Sequence, residues 1–572
     1  MIGLAGCANR RSRYGDGEPP ERREQRRQEA ADRRRASIEV NILDRPAPPQ
    51  PTSGDEEQFA RETNYFASYS KGLPHDEFGE VDPDAYETLV GALDTEDEDE
   101  DFSAVSQAGP RPLTNPEAAV SYNSTGIDPN DVYAKAAPAF DSAEAAAETV
   151  ELYWQALLRD VPFREYGRNP LVGEAADELA GLTDFRGPTD RSTLFRGTVP
   201  GTQAGPYVSQ FFYHDFVRGV RRHDQRLHVL ESGNDFMTDY EEWLAIQNGD
   251  IPNGGINRTT PGKPSAAGVS IRNMEQRRYM ITGRDMATYV LENVPQQPYM
   301  NAALVLQNDQ DITADPLALD DRVPVDDNVP AGFVDYARTG YQSVVPGVVQ
   351  NHAHAAWYHK WRVHRRLRPE AFGGRVHHVV NGTEIHGELA ADRYPVDSQL
   401  LDSRALERTR STDGFDTALL PQAYPEGAPT HPSYPGGHAV TAGSCATLLK
   451  AYFDENAVIQ TPVRPTTDAR GRYTELEPID AELTVGGEIN KLATNVAYAR
   501  SLAGIHYRSD TVAGMRIGER IATSVLRDRL QQRPEEAYGS RGSFSFTTFD
   551  GTEVTVTADG VTPEDTFDPP LF

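Results

Sequence analysis

The stretch HPSYPGGHAVTAGSCATLLKAYF, residues 431–453, joins a loop rich in proline and glycine to a run of small and apolar residues. The run from His438 onward is typical of a buried helix, and the prolines fix the backbone that leads into it. Gly436 and Gly437 let the backbone approach a ligand closely. Amides near Gly437 would lie at a helix N-terminus, where an anion is favoured. An ordinary connection between a loop and a helix has the same pattern.

Helical patterns dominate the chain on both sides of this stretch. In the first of them Val150, Trp154 and Leu157 fall on one face. Connections rich in proline and glycine separate the segments, so we predict a mainly α protein made of helical bundles with long functional loops. The other helical patterns are residues 141–158, 282–294, 344–367 and 510–530.

Composition divides the chain into three parts. Residues 1–140 show little apolar periodicity and include the acidic tract Asp94–Asp101. Because such a segment buries too little surface to offset chain entropy, we expect a largely disordered, low-complexity N-terminal region. Residues 141–535 form the predicted helical domain. Residues 536–572 alternate apolar and polar side chains around Asp550-Gly551, which predicts a C-terminal β-hairpin tail.

The overall charge limits the partners of this protein. The formal net charge is -31, from 87 acidic and 56 basic residues. Such a surface repels nucleic acid and anionic lipid, so we expect no nucleic-acid partner. An acidic chain with few lysines is also typical of proteins kept in solution at high salt, that is, of a halophilic protein. No window approaches the roughly 18 apolar residues that a membrane span requires.

The two cysteines, Cys7 and Cys445, cannot form a disulfide framework, and no paired-cysteine zinc motif is present. The opening MIGLAGC resembles the end of a lipoprotein signal, but it lacks a basic region and a full apolar region before the cysteine. The sequence therefore leaves the location open between the cytoplasm and export.

A cationic pattern precedes the proline-glycine loop. In WYHKWRVHRRLRPEAFGG, Trp357, Lys360 and His364 are spaced to share one face of a helix. Pro369 should end that helix at Arg368. Lys360 and Arg368 would then lie about 12 Å apart along the axis, close enough for their side chains to converge on one anion. An exposed basic helix would show the same spacing.

A third pattern lies in ARSLAGIHYRSD, residues 499–510. Arg500 and His506 are too far apart for one helical face, and Gly504 offers a place to bend. Asp510 stands four residues after His506, so its carboxylate can bond one imidazole nitrogen and leave the other as an unprotonated ligand or nucleophile. A simple contact at a helix end has the same spacing.

Together these segments supply three cations, a pair of glycine amides, an imidazole with a carboxylate partner, and two further imidazoles, His431 and His438. That set fits a tetrahedral oxyanion of high charge, such as phosphate or vanadate.

The order K…RP, PSxPxGH and ARx5Hx3D resembles the shared signature of vanadium-dependent haloperoxidases and type 2 phosphatidic acid phosphatases. The segments KWRVHRRLRPEAFGG, HPSYPGGHA and AGIHYRSD resemble those of the algal-type bromoperoxidases, and the likeness extends over most of residues 145–530. Seven residues separate Lys360 from Arg368, where phosphatases usually have six. Trp357 and His431 also match bromoperoxidase positions. The resemblance implies a haloperoxidase architecture of two four-helix bundles, and it favours bromide and iodide chemistry.

The resemblance also implies a role for each site residue. His506 would be the axial ligand of vanadium. Lys360, Arg368, Arg500 and the amide of Gly437 would neutralise the vanadate oxygens. His438 would be the acid/base group, and His431 would tune that group or the halide site, with Asp510 and Trp357 in support. The family pattern has a serine at the position of Gly436, so one hydrogen bond to vanadate would be missing here.

The implied activity is a vanadate-dependent oxidation of halide by hydrogen peroxide to hypohalous acid, which halogenates small organic substrates. Relatives assemble into dimers and larger rings, so we expect a homodimer or a larger homo-oligomer. Two other functions remain open: an acid phosphatase with His506 as nucleophile and His438 as acid, and a protein that binds phosphate or vanadate without turnover.

Overall fold

Helices form most of the regular structure, as the sequence predicts. The computed structural model describes residues 20–42, 48–95, 102–228, 230, 232–251, 277–308, 338–412, 415, 417–532 and 542–567. The α-helices in chain order are α1 (Pro20–Ile42), α2 (Asp55–Gln58), α3 (Pro83–Asp94), α4 (Ala143–Leu158), α5 (Pro170–Leu179), α6 (Tyr240–Gln247), α7 (Gly283–Glu292), α8 (Gln297–Asn308), α9 (Arg338–Gly347), α10 (Val349–Trp357), α11 (Pro369–Asn381), α12 (Ala390–Arg393), α13 (Ser398–Leu401), α14 (Arg404–Arg410), α15 (Gly437–Tyr452), α16 (Val485–Leu502) and α17 (Arg508–Gln531).

The strands are short and antiparallel. They form three two-stranded sheets and one three-stranded sheet within the described residues. The pairs are β1 (Phe216–Arg218) with β2 (Arg221–His223), β3 (Glu384–Ile385) with β4 (Glu388–Leu389), and β5 (Val463–Thr466) with β6 (Glu475–Pro478), and the larger sheet holds β7 (Phe544–Thr547), β8 (Glu553–Val556) and β9 (Val561–Thr562).

Helix α15 lies at the centre of the core and packs closely against α17 and α16. The small residues in the sequence of α15 explain this close packing. A Cβ atom on Gly443 would lie 2.0 Å from the carbonyl oxygen of Met515, and one on Gly518 would lie 2.2 Å from that of Val440. The α15 and α17 backbones therefore touch through glycines on both helices, which fixes the start of α15 against the start of α17.

The expectation that residues 1–140 are largely disordered is wrong for residues 48–95 and 102–140. The ring of Phe66 is buried and lies 4.7 Å from that of Phe59, 5.2 Å from that of Phe140 and 4.9 Å from that of Tyr394. These side chains belong to the same core as α15 and α17, so no domain boundary lies at residue 140. The acidic tract Asp94–Asp101 falls mostly outside the described residues.

This packing is hard to predict from the sequence for a physical reason. Short helices and turns, rather than one long amphipathic helix, carry the apolar residues of residues 48–140. Helix α3 does show a helical period, with Tyr86, Leu89 and Leu93 buried, but it is short, and the partners that bury this segment lie far along the chain. One such partner is Arg365, whose carbonyl accepts a hydrogen bond from the amide of Tyr69.

The prediction of one helix over residues 344–367 is also wrong. The chain forms α9 and α10, followed by a wider π-helical turn over Tyr358–His364. Arg365 then adopts a left-handed conformation with φ 34°, and Arg368 is the N-cap of α11 instead of a helix end. Proline at the first turn of α11 explains why the next helix starts there.

The predicted C-terminal hairpin is confirmed, with a third strand added. Gly551 has φ 85° in the turn between β7 and β8. The sheet packs on α15, where the rings of Tyr452 and Phe544 are 5.1 Å apart and the Lys450 ammonium lies 4.4 Å from the centre of the Phe549 ring. The tail is therefore part of the core. None of the described helices has the length and hydropathy needed to cross a bilayer.

Candidate oxyanion site

Three cationic side chains are buried together beside the start of α15. Lys360 is fully buried, Arg368 is 1 % exposed and Arg500 is 5 % exposed. The Lys360 ammonium donates to the carbonyls of Pro432 (2.8 Å) and Ser433 (2.9 Å), which leaves its third N–H for another acceptor.

Arg368 is fixed from two elements. Its Nε donates to the carbonyl of His431 (3.0 Å) and its Nη1 to the carbonyl of Ile505 (2.8 Å). Arg500, on α16, donates through Nη1 to the Tyr424 hydroxyl at 3.4 Å. The π-helical turn, the N-cap of α11 and the end of α16 thus each contribute one cation.

Burial without a matching anion marks this cluster as a binding site. Desolvation, followed by the charge of Arg368, holds the pKa of Lys360 well below its ordinary value. Desolvation likewise lowers the pKa of Arg368 to about 10. The carboxylate of Asp510 opposes these shifts, but it already pairs with Arg366 and His506. The cluster therefore carries excess positive charge, and a bound anion would relieve it.

His506 stands beside the cations with one nitrogen ready to act as a ligand. Its Nδ1 lies 2.8 Å from Asp510 Oδ2, and its Nε2 lies 3.0 Å from Nη1 of Arg368. Desolvation and the charge of Arg368 hold the pKa of His506 well below its usual value, so the imidazole is neutral. Because the carboxylate accepts a hydrogen bond from Nδ1–H, the proton stays on Nδ1 and Nε2 carries the lone pair. The predicted pairing of His506 with Asp510 is present.

The bend predicted at Gly504 places His506 off the axis of α16. Helix α16 ends at Leu502, and Gly504 has φ 87°, a conformation that side chains rarely adopt. A Cβ atom there would also lie 2.7 Å from Nε2 of Gln422. Arg500 therefore stays on the helix while His506 lies on the connection to α17.

His431 closes another side of the site. Its Nδ1 lies 2.9 Å from Nη2 of Arg368, and its ring centre lies 4.9 Å from that of Trp357. Desolvation and the charges of Lys360 and Arg368 hold the pKa of His431 well below its usual value. A neutral His431 accepts the hydrogen bond from Arg368, and Trp357 forms an apolar wall beside it.

The two glycines differ in what they offer an anion. Gly436 is the N-cap of α15, and its amide donates to the carbonyl of Asp510 at 2.9 Å. Gly437 is the first residue of the helix, and a Cβ atom there would meet only Trp357, at 3.7 Å. Space therefore remains beside Gly437 at a helix N-terminus, in keeping with anion binding. His438 follows in the first turn and is half-buried.

Several residues that hold this site escaped prediction. The Ser433 hydroxyl donates to Asp510 Oδ2 at 2.5 Å, and Nη1 of Arg366 donates to Asp510 Oδ1 at 2.8 Å. Ser433 lies inside the quoted proline-glycine motif, so the motif itself was the signal that could have identified it. Arg366 is one of four arginines in RVHRRLR, and nothing in that run distinguishes it.

The N-terminal segment also supports the site. The Lys71 ammonium pairs with Glu370 and donates to the carbonyls of Glu426 (2.9 Å) and Ala428 (2.8 Å), just before His431. Arg111 donates to the same two carbonyls. Residues far from the motif along the chain thus fix the loop that presents His431.

A second cluster of metal-ligand types lies apart from this site. Asp76, Glu80 and His386 bring their ligand atoms within 4.8 Å of one another. Glu80 is already bound by the Arg393 guanidinium at 2.6 and 2.7 Å, and it accepts from the Tyr394 hydroxyl. These contacts neutralise the carboxylate, so ion pairing accounts for the cluster.

Comparison with known proteins gives consistent relatives. Residues 344–533 match the family model of the VCPO second helical-bundle domain. The vanadium-dependent bromoperoxidase of Ascophyllum nodosum is 34% identical over 535 residues, covering 88% of this chain and 89% of that protein. The vanadium-dependent bromoperoxidase of Corallina officinalis is 30% identical over 600 residues, covering 89% and 92%.

A solved structure resembles the whole fold. The homohexameric second vanadate-dependent bromoperoxidase (AnII) from Ascophyllum nodosum superposes with a TM-score of 0.80 at 27% identity, covering 93% of this chain and 91% of that one. The similarity extends well beyond the site, into the N-terminal segment.

Proposed function

This chain belongs to the vanadium-dependent bromoperoxidase family, and from that premise we propose that it oxidises bromide, and iodide, with hydrogen peroxide to hypohalous acid. The hypohalous acid, or an equivalent, then halogenates small organic nucleophiles. The cofactor is vanadate. The observation that best supports this function is the burial of Lys360, Arg368 and Arg500 around a neutral His506, because that set matches a tetrahedral oxyanion.

The residues present fit vanadate. Lys360, Arg368 and Arg500, with the amide of Gly437, would hold its oxygens, and Nε2 of His506 would bond the metal. Bound vanadate supplies Lewis-acid chemistry that makes peroxide an electrophilic oxygen donor to halide, with no change in oxidation state of the metal.

The protein's own side chains would orient the metal ligand, transfer protons and form the wall of the site. Asp510 holds the His506 tautomer through the 2.8 Å contact to Nδ1, so that Nε2 keeps its lone pair. His438, in the first turn of α15, would serve as the acid/base group that accepts and returns a proton. His431 and Trp357 form the wall at which halide would approach. Buried cations in a site of low dielectric draw electron density from the bound anion more strongly than they would in water.

Two other functions are not favoured. A phosphatase would use His506 as nucleophile and His438 as acid, and a simple binding protein would hold the anion without turnover. Neither explains why relatives over most of the chain are bromoperoxidases. We further propose a homo-oligomer, since the structural relative AnII is a homohexamer. Light scattering after size exclusion chromatography tests this directly.

The experiment that tests the function compares two activities in one preparation. Purified apo-protein is incubated with orthovanadate, bromide and hydrogen peroxide, and bromination of an organic acceptor is measured beside hydrolysis of a phosphomonoester. We expect bromination that depends on vanadate, and little hydrolysis. Bromination absent at every vanadate concentration would rule out the proposal, and vanadate-free hydrolysis alone would favour the phosphatase.

A further inference from the structure

A second group of buried charges lies directly behind Asp510. The Arg366 guanidinium bridges two carboxylates: Nη1 is 2.8 Å from Asp510 Oδ1, and Nη2 is 3.3 Å from Glu148 Oε2. All three side chains are at least nine-tenths buried. Arg366 also stacks on Tyr507, with its carbon 4.0 Å from the ring centre, which fixes the plane of the guanidinium.

Glu148 is held on α4 by the first turn of α17. The amide of Ser509 donates to Oε1 at 2.5 Å, and the Ser509 hydroxyl donates to Oε2 at 2.8 Å. Nη1 of Arg366 lies 2.7 Å from the same hydroxyl. Arg366 and Asp510 therefore connect Glu148 to His506 in one continuous network, and Ser509 bridges Glu148 and Arg366.

One end of the network lines a cavity. A cavity of about 850 Å³ is lined by Glu148 and Ser509, together with Tyr434 and Arg508. None of the residues proposed to hold vanadate lines it. Glu148 and Ser509 therefore face a space other than the oxyanion site, and of the two only Glu148 can change its charge.

We propose that Glu148 and Arg366 are positioning residues for the axial ligand: their ion pair sets how strongly Asp510 accepts a hydrogen bond from His506, and through it how strongly His506 binds the metal. This inference rests on the proposed function, because it concerns the same ligand. When Glu148 is ionised it shares the charge of Arg366, and Asp510 is free to act fully on His506. When Glu148 is neutral, Arg366 acts on Asp510 alone and weakens that hydrogen bond.

Glu148 is the group in this network that titrates near neutral pH. Desolvation raises its pKa to about 7, against the opposing effects of Arg366 and Ser509. Despite desolvation, Arg366 and His506 hold the pKa of Asp510 far below its usual value, so Asp510 stays ionised. The ion pairs with Asp510 and Glu148 raise the pKa of Arg366 against the effect of burial, so it stays charged.

The other groups near the network are three buried phenols, Arg508 and further charged or titratable side chains, several of which line the cavity. Burial raises the pKa of Tyr434, of Tyr507 and of Tyr498, so these phenols stay neutral. Arg508 pairs with Glu151, which raises its pKa against the effect of desolvation. The remaining charged or titratable side chains nearby are His364, whose pKa burial lowers well below its usual value, Asp55, whose pKa burial raises, and those that line the cavity: Tyr133, Lys135, Glu144, Arg186, Arg516, Glu519, Arg520 and Asp550.

The test compares Glu148→Gln with Glu151→Gln. Both carboxylates lie on α4 and are about 1 % exposed, but Glu151 pairs with Arg508 and does not contact Arg366 or Asp510. Vanadate affinity of each apo-protein is measured by titration calorimetry from pH 6 to 8, with thermal unfolding recorded in parallel. Expressing each affinity relative to wild type removes the titration of vanadate itself.

We expect Glu148→Gln to bind vanadate about 10-fold more weakly than wild type at pH 8, in the range usual for groups that orient a metal ligand, and to approach wild type at pH 6. Glu151→Gln should match wild type at every pH. Equal affinities of Glu148→Gln and wild type across this range would overturn the proposal, as would a Glu151→Gln variant that shows the same pH-dependent loss. A wild type that binds no vanadate would instead contradict the proposed function.

A measurement on the wild-type apo-protein does not depend on any variant folding. With ¹⁵N-labelled histidine, the nitrogen shifts of His506 should change with a midpoint near the pKa of Glu148, about 7, as its hydrogen bond to Asp510 strengthens. Shifts of His506 that stay constant from pH 6 to 8 would contradict the proposal even if Glu148→Gln fails to fold.

Discussion

Replacing Gly436 by serine should strengthen vanadate binding. Gly436 has φ -66° and ψ 118°, a conformation that serine adopts freely. Its Cβ would lie 3.3 Å from the carbonyl oxygen of Asp510 and 3.4 Å from the Cβ of Ala439. The first distance is tight, so the start of α17 must move by a few tenths of an ångström to admit the side chain.

The size of the effect follows from two opposed contributions. A hydroxyl that donates to a charged oxyanion contributes roughly 1.5–3 kcal/mol. Crowding against Asp510 offsets part of this, because Asp510 also orients His506. We expect a net gain of about 1–2 kcal/mol, which corresponds to roughly 5- to 30-fold tighter vanadate binding.

Gly436→Ala is the matched control, since it adds the same Cβ without the hydroxyl. The dissociation constant of vanadate is measured for all three proteins by reconstitution of the apo-forms. The alanine variant should bind no more tightly than wild type, and the serine variant should bind more tightly than both. Equal dissociation constants for the serine and alanine variants would contradict this prediction, because the hydroxyl would then make no hydrogen bond to the anion.

Three further predictions follow from the structure. Asp510→Asn should weaken vanadate binding by about 10- to 100-fold, because His506 loses the carboxylate that fixes its tautomer; an unchanged dissociation constant would contradict this. Phe66→Ala should lower the free energy of unfolding by about 3–5 kcal/mol, as for a buried aromatic residue. Chemical denaturation of wild type and variant measures this, and an unchanged free energy of unfolding would mean that the segment around Phe66 is not packed in the core. Because the pKa of Glu148 is raised from 4.5 to about 7, the stability it contributes is complete below pH 4.5 and is lost as the pH rises to 7; the Tm of wild type relative to Glu148→Gln should therefore fall across that window, and a constant difference would refute the assignment.

The site could be predicted from the sequence to a large extent. Lys360, Arg368, Arg500, His431 and His506 stand in three short motifs, and the structure brings them together. Their chemistry is local to each motif: a proline-glycine loop at a helix start and a histidine four residues before an aspartate need no knowledge of the rest of the fold. Gly504 likewise predicts the bend that separates Arg500 from His506.

The parts that escaped prediction depend on contacts between distant segments. Phe66 has no helical neighbours to reveal its burial. Lys71 contacts Glu370, 299 residues away along the chain, and the loop before His431, which is farther still. Nothing in the sequence of α4 distinguishes Glu148, since only the position of Arg366 gives it a role. The π-helical turn after Trp357 has no sequence signal that distinguishes it from a continuing α-helix.

Nε2 of His506 is the proposed ligand of vanadium inside the cationic cluster. X-ray absorption at the vanadium edge, on protein reconstituted with saturating vanadate, tests it most directly by comparing wild type with His506→Ala. We expect a nitrogen neighbour of vanadium in wild type that is lost in the variant, with bromination lost as well. A wild-type spectrum with oxygen neighbours alone, or a variant that keeps the nitrogen, would contradict it.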